Sequence, residues 1–271
     1  MLVRGDSHLI DSKPIPLRVA KRLILGRWLP RFHRYLTVGK LNEAYYQFYG
    51  ADPCKFFPVR HFVDNDRFAS EAAQARSRRA ELLSKWNISR EAQVFLFVGK
   101  FIDKKRPMDA IRAIELLVAK DLPVHLLMVG DGKLRPKCEE YSKMKQLPIS
   151  FTGFLNQSKI SEAYAASDVL VLPSGYAETW GLVTNEAMSC GLPAIVSDRV
   201  GCAPDLIEPG RTGAIYPFQD VSALAAAMAS YAEDTSLARR QGANARKHVE
   251  NYTVTAAAEN TIAAVLSLGR T

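Results

Sequence analysis

From residue 94 onward, short and almost wholly apolar runs alternate with longer amphipathic ones, and this alternation confines the chain to few folds. The runs are VFLFVGK (94–100), VHLLMVG (124–130), ISFTGF (149–154), VLVLPS (169–174) and AIVS (194–197). Between the first two, Pro107 to Lys120 places Met108, Ile111, Ile114 and Leu117 on one side, the three-to-four spacing of an amphipathic helix. A charged helix follows to about Gln146, another ends near Ala165 and a third near Ser189. Strands apolar at nearly every position are buried on both faces, and intervening helices make them parallel. The pattern predicts an α/β, doubly wound parallel sheet, with a last strand at Gly213–Tyr216. Two or three Ala-rich helices are expected from Asp220 to Leu266.

Before residue 62 the alternation recurs on a smaller scale. LVRG, YLTVG and FFPVR read as strands, with helices near 15–28 and 40–49. Three strands are few for a doubly wound domain, which usually takes about 100–150 residues. This segment therefore reads as the tail of a domain whose beginning is absent. HFVDNDRF and the polar SEAAQARSRRAELLSKW follow it. A linker is expected at roughly 62–72, dividing a partial N-terminal domain (1–65) from a C-terminal domain with closing helices (66–271).

The net charge of +8 and pI near 9.3 point to an anionic partner. Lys13, Arg18, Lys21, Arg22, Arg27, Arg31 and Arg34 crowd one segment, mixed with Leu17, Leu23, Ile24, Leu25, Trp28 and Leu29. This reads either as a domain helix with a solvated basic face or as a basic amphipathic helix on anionic lipid. No aromatic-rich or zinc-finger pattern accompanies the charge, so no nucleic acid is expected. No apolar run approaches the ~20 residues that cross a bilayer. The N-terminus, MLVRGDSHLIDSK, lacks the order of a secretory signal. Cys54, Cys138, Cys190 and Cys202 are scattered, which argues for reduced thiols and a cytoplasmic setting, with the inner membrane face as a variant.

The chemistry concentrates in AETWGLVTNEAMSCG (177–191), directly after the strand VLVLPS. Glu178 falls in the loop, and Gly181 permits an unusual backbone and a close ligand approach. A helix beginning near Leu182 puts Glu186 one turn inside it and leaves free amides at residues 181–183. Such a terminus attracts phosphate through its N–H donors and macrodipole, worth about 0.3–1 kcal/mol exposed and up to ~2 when partly buried. A carboxylate beside a ribose accepts hydroxyl hydrogen bonds, each charged bond contributing about 1.5–3 kcal/mol. The loop also leaves the carboxyl end of a strand, where ligands bind in open α/β sheets.

With a Gly three residues after the first Glu, a second Glu eight after it, and AMxCGxP beyond, this segment resembles the retaining glycosyltransferases of family 4. VGKFIDKKRP (98–107) is similar to the same family's basic loop, and VGDG (129–132), FTGF (151–154), SDVLVLPS (167–174) and GRTGAIYP (210–217) fall in its order. HFVDNDRF resembles its interdomain segment, so the likeness runs from about residue 56 to the end. The resemblance implies a GT-B fold: a complete C-terminal Rossmann-like sheet and the remnant of an N-terminal one. It implies a nucleotide-sugar donor, a glycan, lipid-linked or small-molecule acceptor, and no cofactor or divalent metal. Lys100 and Lys105 would neutralise the diphosphate, after Gly99. Gly181, Leu182 and Val183 would offer amides to phosphate and sugar oxygens. Glu186 would hold the ribose hydroxyls, Glu178 those of the transferred sugar, and Phe154 would lie beside the base. Three departures stand out. Lys100 replaces the usual arginine, turning a bidentate contact into a point charge. Gly201-Cys202 stands where Gly-Gly is common, and Asp205 where Glu is common.

Other readings fare worse. Asp64-Asn65-Asp66 imitates a metal-binding DxD but precedes a polar hinge without the flanking apolar strand. GDGKLR (130–135) imitates a dinucleotide fingerprint but lacks its third glycine. A glycosidase pair at Glu178 and Glu186 has no use for two lysines and a phosphate-binding helix end. The strongest rival is a nucleotide-sugar-binding fragment without transferase activity.

Overall fold

The computed structural model describes residues 1–10, 14–175 and 177–269; Lys13 of the basic segment lies outside them. The chain divides into two compact units, residues 1–63 with 251–271, and residues 64–250.

In the first unit, β1 (Leu2–Arg4), α1 (Ile15–Trp28), β2 (Arg34–Thr37), α2 (Lys40–Phe48) and β3 (Phe56–Pro58) follow one another. The strands form a parallel sheet in the order β1-β2-β3. Its core is aromatic. Tyr35 is fully buried, its ring centroid 5.2 Å from Tyr46 and 5.4 Å from Phe56, and its hydroxyl donates to the Leu29 carbonyl. Tilted and edge-on rings of this kind add about 0.5–1.5 kcal/mol per pair beyond burial.

The second unit opens with α3 (Asn65–Arg76) and α4 (Arg79–Lys85). Then come β4 (Gln93–Val98), α5 (Pro107–Val118), β5 (Val124–Val129), α6 (Arg135–Met144), β6 (Ile149–Gly153), α7 (Ile160–Ala166) and β7 (Val169–Leu172). It continues through α8 (Leu182–Ser189), β8 (Ala194–Ser197), α9 (Ala203–Leu206), β9 (Gly213–Tyr216), α10 (Val221–Glu233) and α11 (Thr235–Val249). All six strands are parallel, ordered β6-β5-β4-β7-β8-β9. Val94, Phe95, Leu96 and Phe97 in β4 and all of β7 are fully buried, which explains why these strands read as unbroken apolar runs. Phe95, Phe97, Leu126 and Val171 share one core with Ile111, Ile114 and Leu117 of α5 and Leu224 and Met228 of α10. Helices α3, α7, α8 and α11 pack against one another in a second layer.

Two boundaries differ from the sequence reading. Most of the segment expected as a linker at 62–72 is helix α3: Asp64 caps it by accepting from the Arg67 amide at 3.0 Å, and Phe68, Ala72 and Ala75 are buried. Its polarity belongs to the exposed face, and one phenylalanine with two small alanines marks the buried one. The last helix, α12 (Val254–Leu266), groups with the first unit rather than the second. It packs on β2 and β3, and Arg34 donates to the Ser267 hydroxyl at 2.6 Å and carbonyl at 2.9 Å.

Candidate active site

Strand order turns outward between β4 and β7: the chain leaves β4 toward β5 on one side and β7 toward β8 on the other. The loops beyond those two strands diverge, opening the crevice in which α/β sheets bind ligands. Gly99 and Lys100 follow β4, and a single 3-10 turn, Asp103–Lys105, brings the chain to α5. Glu178 lies in the loop between β7 and α8.

These two loops are joined. Lys105 forms an ion pair with Glu178, which is only 8% exposed. Beside it the Lys104 ammonium donates to the Ala177 carbonyl at 2.5 Å, and the Gly175 amide donates to the Lys104 carbonyl at 2.8 Å. A side chain on Gly99 would begin 3.6 Å from the Lys105 stem, so Gly99 borders the same lysine. Removing one partner of a buried pair costs about 3–5 kcal/mol, because the other is left charged and unpaired. Lys100 is exposed and makes no ion pair among the described residues. Lys105 is thus paired with a buried carboxylate, while Lys100, next in the chain to Gly99, is open.

The Glu178 loop is held from its far side. The Gly201 amide donates to the Glu178 carbonyl at 2.9 Å and the Cys202 amide to the Trp180 carbonyl at 3.0 Å. Any β-carbon at Gly201 would fall 1.8 Å from the Thr179 carbonyl oxygen, so only glycine fits. Helix α8 then starts at Leu182 with Gly181 as its N-cap at φ +100°, in the left-handed region that favours glycine. The Thr184 amide bonds to the Gly181 carbonyl at 2.9 Å, while the amides of Gly181, Leu182 and Val183 have no partner among the described residues. Leu182 is exposed and Val183 half-buried. Open donors on a helix terminus are an anion site in waiting.

Glu186 sits one turn further into α8 and does not touch the Lys105–Glu178 pair. Its carboxylate accepts from the fully buried Tyr164 hydroxyl of α7 at 2.6 Å. Burial raises the Glu186 pKa above the usual carboxylate range, opposed by the Tyr164 hydrogen bond and by the Arg67 charge. Arg67 is itself ordered by Glu71 at 3.3 Å, which accepts from the Ser161 hydroxyl at 2.6 Å. Phe154 directly follows the last residue of β6, at the carboxyl end of that strand, and is 78% exposed, an apolar ring facing water. Among the described residues, no hydrogen bond, ion pair or ring contact joins it to the other site residues.

Sequence reasoning missed Tyr164, Arg67 and Lys104. Lys104 adjoins Lys105, and a basic pair in a loop was the signal available for it. Tyr164 and Arg67 carry none, since their roles arise from how α3, α7 and α8 pack. The Asp64-Asn65-Asp66 motif is structural: Asp64 caps α3, and Asn65 accepts from Ser189 at 2.9 Å.

Residues 78–248 match the family described as glycosyl transferases group 1. Over 265 residues the chain is 30% identical to a D-inositol 3-phosphate glycosyltransferase of Streptomyces scabiei, covering 92% of this chain and 57% of that protein. It is 32% identical over 187 residues to N-acetyl-alpha-D-glucosaminyl L-malate synthase of Bacillus anthracis, covering 67% of this chain and 47% of that one. The chain spans about half the length of these curated relatives. Among solved structures, Anabaena HepE in complex with UDP is similar with a TM-score of 0.77 at 20% identity, over 98% of this chain and 71% of that one. That likeness is one of fold, and the fold is of GT-B type.

Proposed function

Because the chain belongs to the glycosyl transferases group 1 family, we propose that it transfers a hexose from a nucleoside-diphosphate sugar with retention at the anomeric carbon. The observation that carries this reading is the Lys105–Glu178 pair at the β4–β7 crevice, next in the chain to the open amides of α8. The site combines cations for a diphosphate with carboxylates for sugar hydroxyls.

In this reading the diphosphate lies against the Gly181, Leu182 and Val183 amides with Lys100 and Lys105 over its oxygens. The bond from the anomeric carbon to the phosphate oxygen breaks, and its electron pair leaves with the phosphate. The two lysines offset the negative charge as it develops. An acceptor hydroxyl forms the new bond on the face the phosphate leaves, and its proton passes to the departing phosphate. Glu178 holds hydroxyls of the transferred sugar, Glu186 those of the ribose, and Phe154 covers the base. No divalent metal enters these steps. The acceptor is a glycan, a lipid-linked sugar or a small molecule, and the setting is the cytoplasm. A second reading is that the site binds the donor without transferring its sugar.

Calorimetry against nucleoside diphosphates, uridine and guanosine forms included, and their sugars tests the site. Binding is expected, with Glu186→Ala and Lys105→Ala each weakening it about tenfold or more, the value of one charged hydrogen bond. Absence of binding by the intact chain, or unchanged binding by both variants, would defeat the assignment. Release of free or transferred sugar in the same cells separates enzyme from binding fragment.

A further inference from the structure

Lys105 and Glu178 reach one another from two different loops, and the backbone beside each is strained. Arg106, the residue after Lys105, has φ +52°, and Ala177, the residue before Glu178, has φ +68°. Both lie in the left-handed region that residues with a β-carbon rarely enter. Each is held there. Arg106 grips Asp109 with two hydrogen bonds, at 2.7 and 2.9 Å, and the Asp109 side chain is only 2% exposed. The Ala177 carbonyl accepts from the Lys104 ammonium at 2.5 Å, and the Gly175 amide donates to the Lys104 carbonyl at 2.8 Å. Strain kept on both sides of one ion pair marks a contact that the fold imposes, as at clamp and switch sites.

The pair occupies the groups that the function proposed above assigns to the two halves of a donor. The ammonium carries one charge, and the carboxylate neutralises it where both side chains are largely buried. Screening by water and salt is weak in such a setting. A diphosphate approaching Lys105 therefore meets the Glu178 anion as well, and two anions sharing one cation repel. How strongly they do so depends on what the diphosphate carries. A free terminal phosphate holds about −1.5 to −2 at neutral pH and gives a carboxylate nothing in return. Joined to a sugar, the same phosphate loses the oxygen that takes the second charge. The sugar hydroxyls then donate to Glu178 and replace the bond it gives up.

Resting on that function, we propose that Glu178 sets the site's selectivity for a sugar-bearing nucleotide against the bare nucleoside diphosphate. Lys105 turns to the diphosphate when sugar hydroxyls take its place on Glu178. After transfer those hydroxyls leave with the sugar, Glu178 recovers Lys105, and the hold on the nucleoside diphosphate weakens. The ion pair is thus the competitor of the product and not of the donor.

Calorimetry on the full chain separates this competition from a merely supporting contact. The probes are inorganic pyrophosphate, the uridine and guanosine diphosphates, and the glucose ester of each nucleotide. Glu178→Gln keeps the shape of the side chain and removes its charge. It is expected to bind pyrophosphate and the bare diphosphate about tenfold more tightly, within the coupling range of one close charge pair. Its affinity for the glucose ester should not rise. Glu178→Ala, a second uncharged variant, should show the same gain for the bare ligands. Glu178→Asp keeps the charge and should show none. Adding Lys105→Ala to Glu178→Gln should erase the gain, because the freed cation is its source. Equal changes for bare and sugar-bearing ligands in the uncharged variants, or a Glu178→Asp chain that gains as they do, would overturn the proposal and leave the function standing. Absence of nucleotide binding, with the pyrophosphate gain retained, would defeat the function and leave the competition. Absence of binding to every probe by every chain would defeat both.

Discussion

Glu186 shows how one buried hydrogen bond can tune a carboxylate of the candidate site. Its pKa is raised by burial and held back by the Tyr164 hydroxyl. In the function proposed above, sugar hydroxyls donate to the ionised form, so nucleotide affinity should fall as the pH drops through that raised pKa. In the unliganded fold the sign is reversed. A raised carboxylate pKa contributes stability below its unfolded value, and that contribution is lost as pH rises through the folded one. Tyr164→Phe should move the acid-side decline in nucleotide affinity to higher pH and weaken binding about tenfold at neutrality, as read by calorimetry across a pH series. A uniform loss with an unmoved midpoint would make Tyr164 a packing residue only. Glu178, Gly181 and Glu186 were legible as residues because spacing and strand context place them on one loop and one helix. Their partners were not, because Tyr164 and Arg67 reach Glu186 through the packing of three helices. A carboxylate is visible in a sequence; the group that sets its proton affinity is not.

At the level of elements, the loop after β7 depends on a contact that tolerates no side chain. Gly201→Ala would force its β-carbon into the Thr179 carbonyl, so the two hydrogen bonds that hold residues 178–180 must break or shift. Overpacking of this kind costs about 1–3 kcal/mol. Thermal unfolding should show that loss, and calorimetry should show weakened diphosphate-sugar binding, although Gly201 itself offers no group to the ligand in the reading above. Full binding by Gly201→Ala would mean the loop is held by other means. Elements were the most legible scale. Strands buried on both faces leave apolar runs such as VLVL, and helix starts carry their caps, Asp220 for α10 and Asp234 for α11. Helix α3 was misread as a linker because its buried side is mostly alanine and its exposed side is charged. Composition alone does not separate a small-residue interface from a hinge.

For the whole molecule, the sequence reading assigned α12 by proximity in the chain, and the structure assigns it by contact. No local signal distinguishes the two: an Ala-rich helix docks on any apolar surface that fits, and Arg34 and Ser267 are far apart in sequence. Because Met1–Val63 and Asn251–Thr271 form one unit, residues 64–250 are in effect an insertion within it. During synthesis the inner unit leaves the ribosome complete while the outer one still waits for its last helix. Strands β1 to β3 must therefore persist without α12 until it emerges, exposing the surface of β2 and β3 that it later covers. A chain ending at Glu250 should keep nucleotide binding while its first unit loses protease resistance. Limited proteolysis should then trim that shortened chain to a fragment starting near Asp64. Equal protease resistance of the shortened and full chains would show that α12 is dispensable for that unit. The order in which the chain emerges thus makes the unit that holds the candidate site the first to finish and the basic unit the last.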